Sequence, residues 1–70
     1  MIRLTIEREQ RQWSRAELGR LARIHPARVG QAENGHVRPY PVELERLAAD
    51  LAWKGEPAAL LDEVGDAVAR

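Results

Sequence analysis

Within the stretch PARVGQAE, residues 26–33, stand three groups that could do chemistry on a nucleic acid: the amide of Gln31, the guanidinium of Arg28 and the methyl of Ala27. Gln pairs with adenine in the major groove, Arg with guanine, and an Ala methyl touches the methyl of thymine. Coiled at about 100° per residue, the stretch sorts itself. With Val29 inward, Ala32 and Glu33 fall within about 60° of it; Ala27 and Gln31 point nearly straight out, and Arg28 and Gly30 take the two flanks. The outward face is short and nearly flat. A surface helix with no nucleic-acid partner would carry the same polar residues, so the face alone leaves both readings open.

Such a face needs a frame, and the flanking sequence predicts one over residues 14–35. Ser14 followed three residues on by Glu17 is a capping box, which satisfies the free amides of a first helix. Leu18, Leu21 and Ala22 then share one side, with Arg15, Glu17 and Arg20 elsewhere. Arg23, Ile24 and His25 break the pattern. Pro26 suits the first turn of a second helix, where its missing N–H costs nothing, and Asn34-Gly35 suits that helix's end.

Residues 14–35 resemble the Cro/cI-type (Xre-like) helix-turn-helix of phage repressors and bacterial regulators. The resemblance rests on Ser14-Arg15, on Ala16-Glu17-Leu18, on small Gly19 where the helices cross, on Val29, and on Glu33-Asn34-Gly35. It extends to Arg8, Glu9, Arg11 and Trp13 on one side and to Pro39, Leu44, Leu47, Ala48 and Leu51 on the other, about three quarters of the chain. It implies an all-α fold, a compact bundle of four to five helices of the lambda-repressor-like type, with helix 26–33 in the major groove. It also implies a partly buried ion pair between Arg8 and Glu33, and a loop after residue 35 that follows the DNA backbone. By the same likeness Ser14, Arg15, Arg23, Asn34 and Arg38 are candidate phosphate contacts, and Pro26 stands with Ala27, Arg28 and Gln31 on the base-reading side. There are departures. The family usually has Gly in the inter-helix turn where this chain has Arg23, so a left-handed backbone there would carry a penalty. Arg15 stands where a phosphate-contacting Gln is frequent, Pro26 replaces a polar residue, and residues 54–57 look like a small insertion.

Seventy residues make one small domain with a small core, and without Cys neither a disulfide framework nor a thiolate metal site can form. No metal or cofactor is expected: His25 and His36 stand eleven apart, with no third ligand at suitable spacing. No apolar run approaches the roughly 18 residues of a membrane span, and no signal-peptide core is present, so a soluble cytoplasmic protein is expected. The formal net charge is zero, yet it is segregated. Residues 1–40 carry eight arginines against four glutamates, a net of +4; residues 41–70 carry three cations against seven acids, a net of −4. A basic half holds helix 26–33 and an acidic half stands behind it. Arg supplies nearly all the positive charge, which suits bidentate contacts with phosphate and guanine.

The remaining segments read as support. Residues 1–6 predict a short extended arm, then a helix from about Thr5 to Gln12 with Thr5 as its cap. Trp13 is expected to close the core over the first two helices. Prolines 39 and 41 make residues 36–41 a loop. A fourth helix runs from Pro41 to about Trp53, burying Leu44, Leu47, Ala48 and Leu51 and turning Glu43, Glu45, Arg46 and Asp50 to water. A fifth helix over 56–69 opens at Pro57, with Leu61, Val64 and Val68 on one face. That stripe motivates a dimer interface of Trp53, Leu60, Leu61, Val64 and Val68; the helix folding onto its own core is the equal alternative.

Two functions remain. The leading one is sequence-specific binding of double-stranded DNA by a small transcriptional regulator, a repressor or Cro-like protein, as a homodimer on an operator-like inverted repeat. The other is a protein-interaction module, of antitoxin or anti-repressor type, that keeps the fold without base readout; zero net charge, Pro26 and Arg23 favour it, and it would bring in a regulatory protein partner. An enzyme is not expected, because no nucleophile–base–orienter set and no glycine-rich phosphate loop occurs.

Overall fold

The computed structural model describes residues 1–64, and among them four α-helices account for the fold. They are α1 (Arg3–Gln10), α2 (Arg15–Ala22), α3 (Pro26–Glu33) and α4 (Pro41–Asp50), followed by a 3-10 turn at Pro57–Leu61. The fold is all-α, as the sequence implies. Ten apolar side chains make one core: Ile2, Leu4, Leu18, Ala22, Ile24, Val29, Leu47, Ala48, Leu51 and Leu60. Trp13, Trp53 and Leu61 pack against it from outside, half-buried.

The helix boundaries follow local chemistry. At the start of α2, Glu17 N–H donates to Ser14 Oγ at 3.0 Å and Ser14 N–H donates to Glu17 Oε1 at 2.8 Å, which is the capping box. The helix ends at Arg23, whose backbone is left-handed at φ 61°, ψ 43°, and Ile24 N–H then closes onto Gly19 C=O at 2.8 Å. An arginine therefore occupies the conformation for which glycine is the easiest choice. Gly19 has its own reason to be glycine. A Cβ there would stand 2.5 Å from Ile24 O and 3.3 Å from Pro26 N, so α3 could not approach so closely. Pro26 opens α3 as expected, capped by His25, whose Nδ1 accepts from Ala27 N–H at 3.1 Å.

Several expectations are corrected. Helix α1 begins at Arg3, not near Thr5, because Leu4, Thr5 and Arg8 fall at helical spacing on the buried side; Ile2 caps the helix and Thr5 is inside it. Leu21 does not share the buried face of Leu18 and Ala22: it sits at the edge of the stripe, 43% exposed. Helix α4 stops at Asp50, and Ala52 turns left-handed (φ 52°) so that Trp53 N–H reaches Ala48 C=O at 2.8 Å. Nor does α4 turn all its charges to water. Glu43 is buried, Arg46 and Asp50 are half-buried, and burial pushes the Asp50 carboxyl above its usual range.

The fifth helix is the largest departure. From Pro57 the chain makes only a 3-10 turn to Leu61 and is extended at Asp62. Arg3 N–H donates to Asp62 C=O at 2.9 Å, Glu63 forms an antiparallel bridge with Ile2, and Val64 N–H donates to Met1 C=O at 3.0 Å. Pairing with the N-terminal segment gives these backbone groups the partners a helix would have supplied. Leu60 is fully buried in the chain's own core, so it offers nothing to a second subunit. Val68 lies outside the described residues.

Candidate nucleic-acid interface

Helix α3 stands as the wheel places it. Val29, Gly30, Ala32 and Glu33 are buried, whereas Ala27, Gln31 and Pro26 are exposed. Each flank is tied to a neighbouring helix by an arginine and a carboxylate, and these two ties define the site.

On the α2 flank the acceptor is Glu33. Its Oε2 takes Arg8 Nε at 2.7 Å, and its Oε1 takes Arg8 Nη2 at 3.2 Å and Arg15 Nε at 2.9 Å. Arg8 spends its remaining group on Trp13 C=O, with Nη1 at 2.7 Å. The expected Arg8–Glu33 pair is formed and deeply placed: the two side chains are 10% and 1% exposed. The hydrogen bond to Glu33 holds Arg8 above even the high range usual for arginine, against the opposing effect of burial. Arg15 is the surface member, its side chain 47% exposed. Only its Nε is hydrogen-bonded among the described residues, which leaves the donors of its terminal nitrogens without a protein acceptor there. A Cβ on Gly30 would come within 3.3 Å of Arg15 Nη1; glycine leaves room for this guanidinium to cross from α2 to α3.

On the α4 flank the partner is Glu43, which the sequence reading turned to water. Arg28 donates from Nε to Glu43 Oε2 at 2.8 Å and from Nη2 to Oε1 at 2.9 Å, a parallel two-bond fork. Glu43 Oε1 also accepts from Tyr40 N–H at 2.7 Å, which fixes the start of α4. The Arg28 guanidinium lies over the Tyr40 ring, 5.0 Å from its centroid. Arg28 holds the Glu43 carboxyl below the usual carboxylate range, helped by the Tyr40 amide, and Glu43 in turn raises Arg28. Arg28 is thus not the unattached base-reading group that its place on the wheel suggested. Two of its five N–H donors are spent within the protein.

The other site residues are exposed. Asn34 ends α3, followed by Gly35 at φ 80°. Arg38 stands in the loop between α3 and α4, and Arg23 in the α2–α3 turn. Ser14 Oγ accepts the capping bond and remains at the surface. Sequence reasoning missed Glu43 and Tyr40. Glu43 carried one usable signal, its place three residues after Tyr40 at the head of a helix, which is a capping position.

The family described as "Helix-turn-helix domain" matches residues 2–61, and the chain belongs to it. This is a class of DNA-binding domain, and it accounts for α2, the turn at Arg23 and α3 as one unit. No curated protein and no solved structure matches the chain. No described helix is long and apolar enough to cross a membrane.

Proposed function

We propose that this chain is a sequence-specific regulator of transcription, of repressor or Cro-like kind, that places α3 in the major groove of double-stranded DNA. The observation that carries the reading is the face of α3: Ala27 and Gln31 exposed between two arginines, each oriented by a carboxylate behind it. Gln31 is the one long polar side chain on the outward face, and an amide suits adenine. Arg15, Asn34 and Arg38 brace the helix on phosphates, with Ser14 and Arg23 beside them; such contacts set register without reading sequence. The protein acts as a twofold dimer, which would set two α3 helices about 34 Å apart on one face of the duplex. Trp53, Leu61 and Val64, half-buried on one subunit, are the surface that supports this pairing.

Selection from a random duplex pool at about 150 mM salt tests the reading. An enriched inverted repeat, with half-sites roughly 10 base pairs apart, is the expected result. Gln31→Ala should then cost about 1–3 kcal/mol on the selected site and relax preference at one position. Equal loss on selected and random duplexes would remove Gln31 from base readout. Weak, salt-sensitive binding with no motif would favour the protein-interaction module, for which zero net charge is the supporting feature.

A further inference from the structure

The Arg28–Glu43 fork has a stereochemical consequence. A guanidinium is flat and offers two edges that can each donate a parallel pair of N–H groups: the side edge, Nε with Nη2, and the end edge, Nη1 with Nη2. Glu43 occupies the side edge completely, at 2.8 and 2.9 Å. Nη1 has no hydrogen-bond partner among the described residues, and the Arg28 side chain is 29% exposed. The plane is fixed a second time by Tyr40 beneath it. Behind the fork, Glu43 is itself immobilised by the Tyr40 amide and by burial. The end edge is therefore aimed before any ligand arrives, and little rotamer freedom is left to lose on binding.

We propose that Glu43 is a specificity-determining positioning residue, which by holding the side edge of Arg28 presents the end edge as a preset two-donor fork for O6 and N7 of a guanine. The proposal rests on the reading of α3 as a major-groove helix. Guanine suits the fork better than a phosphate does. The Arg28–Glu43 pair is neutral as a unit, so it offers a phosphate little net attraction and sets a carboxylate close behind the contact. Guanine is itself neutral and rewards direction rather than net charge: two acceptors side by side, matched by two parallel donors. Glu43 touches no base in this arrangement. It acts only through Arg28.

The experiment is duplex selection with the wild-type chain, Glu43→Gln and Arg28→Lys in parallel, each variant first melted by circular dichroism. Gln keeps an acceptor for the Tyr40 amide but cannot hold both arms of the fork. Lys keeps the charge of residue 28 and leaves the Glu43–Tyr40 bond intact, but has no second parallel donor. The expected wild-type motif contains a guanine whose preference falls about tenfold in both variants, as loss of a bidentate contact implies. The preference assigned to Gln31 should persist in both. Should Glu43→Gln fail to fold, Glu43→Asp takes its place: it keeps the charge but is one methylene too short to hold both arms of the fork, and the same fall in guanine preference is expected. Guanine preference retained in Glu43→Gln overturns the proposal. So does an equal loss of affinity on all sequences with a flatter salt dependence, which would mark Arg28 as a phosphate contact. A wild-type motif without guanine overturns this inference and leaves the DNA reading standing, whereas no wild-type motif at all overturns both.

Discussion

Replacing Glu33 by Ala should destabilise the domain by about 3 kcal/mol without unfolding it. The substitution removes three hydrogen bonds, two from Arg8 and one from Arg15, but the two arginines do not suffer equally. Arg15 is half-exposed and can turn to water, so its loss is that of a surface pair, under about 1 kcal/mol. Arg8 is only 10% exposed, and its charge would stay in place without its principal counterion. Losing one partner of a buried pair costs about 3–5 kcal/mol. Glu9, 3.7 Å from Arg8 and half-exposed, supplies partial compensation, which puts the figure near the lower end, about 3 kcal/mol. A domain of this length has roughly 4–10 kcal/mol in all, so the loss is a large share of it. Urea unfolding followed by far-ultraviolet circular dichroism measures it. With a slope of about 1 kcal/mol per molar, the midpoint should fall by about 3 M, against under about 1 M for Arg15→Ala. Arg8→Met combined with Glu33→Leu should recover most of the loss, since a buried pair replaced on both sides by apolar groups leaves no bare charge. A cost below about 1 kcal/mol for Glu33→Ala, or an equal cost for Arg15→Ala, would refute the assignment of the energy to burial.

Arg23→Gly should raise the melting temperature. Relief of the left-handed strain, about 1–2 kcal/mol, exceeds the added chain entropy of glycine, about 0.5–1 kcal/mol. Glu43 should make stability depend on acid. Its carboxyl is depressed in the folded state, so its contribution is complete above the unfolded carboxylate value of about 4.3 and is lost as pH falls through the folded one. The stability gap between wild type and Glu43→Gln, from urea titrations at several pH values, should narrow over that window; a constant gap would contradict the depressed value. Arg38→Ala should weaken binding to every duplex alike and lower the salt slope by about one, as read by titration at several ionic strengths.

What the sequence discloses here is mostly local. Ser14 with Glu17, Pro26 at the start of α3 and Asn34-Gly35 at its end are signals confined to three or four residues, and each marks a real boundary. The inward turn of Glu33 follows from helical period alone. Arg8 as its partner, 25 residues away, came from family likeness rather than from any spacing. The Arg28–Glu43 fork spans 15 residues and joins two helices, so neither residue's neighbours announce it; charge alone argued for water. Gly30 is silent in the same way, because its role is to leave space for a side chain on another helix. The stretch after Pro57 misled for a different reason. Its apolar spacing fits a helix, but pairing with residues 1–3 takes the chain away after one turn.

That pairing also bears on the order in which the molecule can fold during synthesis. Leu60 is a fully buried member of the core, and the backbone of residues 62–64 is the partner of residues 1–3. The capping box and the α2–α3 turn are short-range and can form as soon as their residues leave the ribosome. The core they rest on stays open until some thirty residues more have been made, since Leu60 is one of its members. A nascent chain stalled before Leu60 would hold a correctly turned α2–α3 hairpin over an unsealed floor, exposed to proteases and to other unfinished chains.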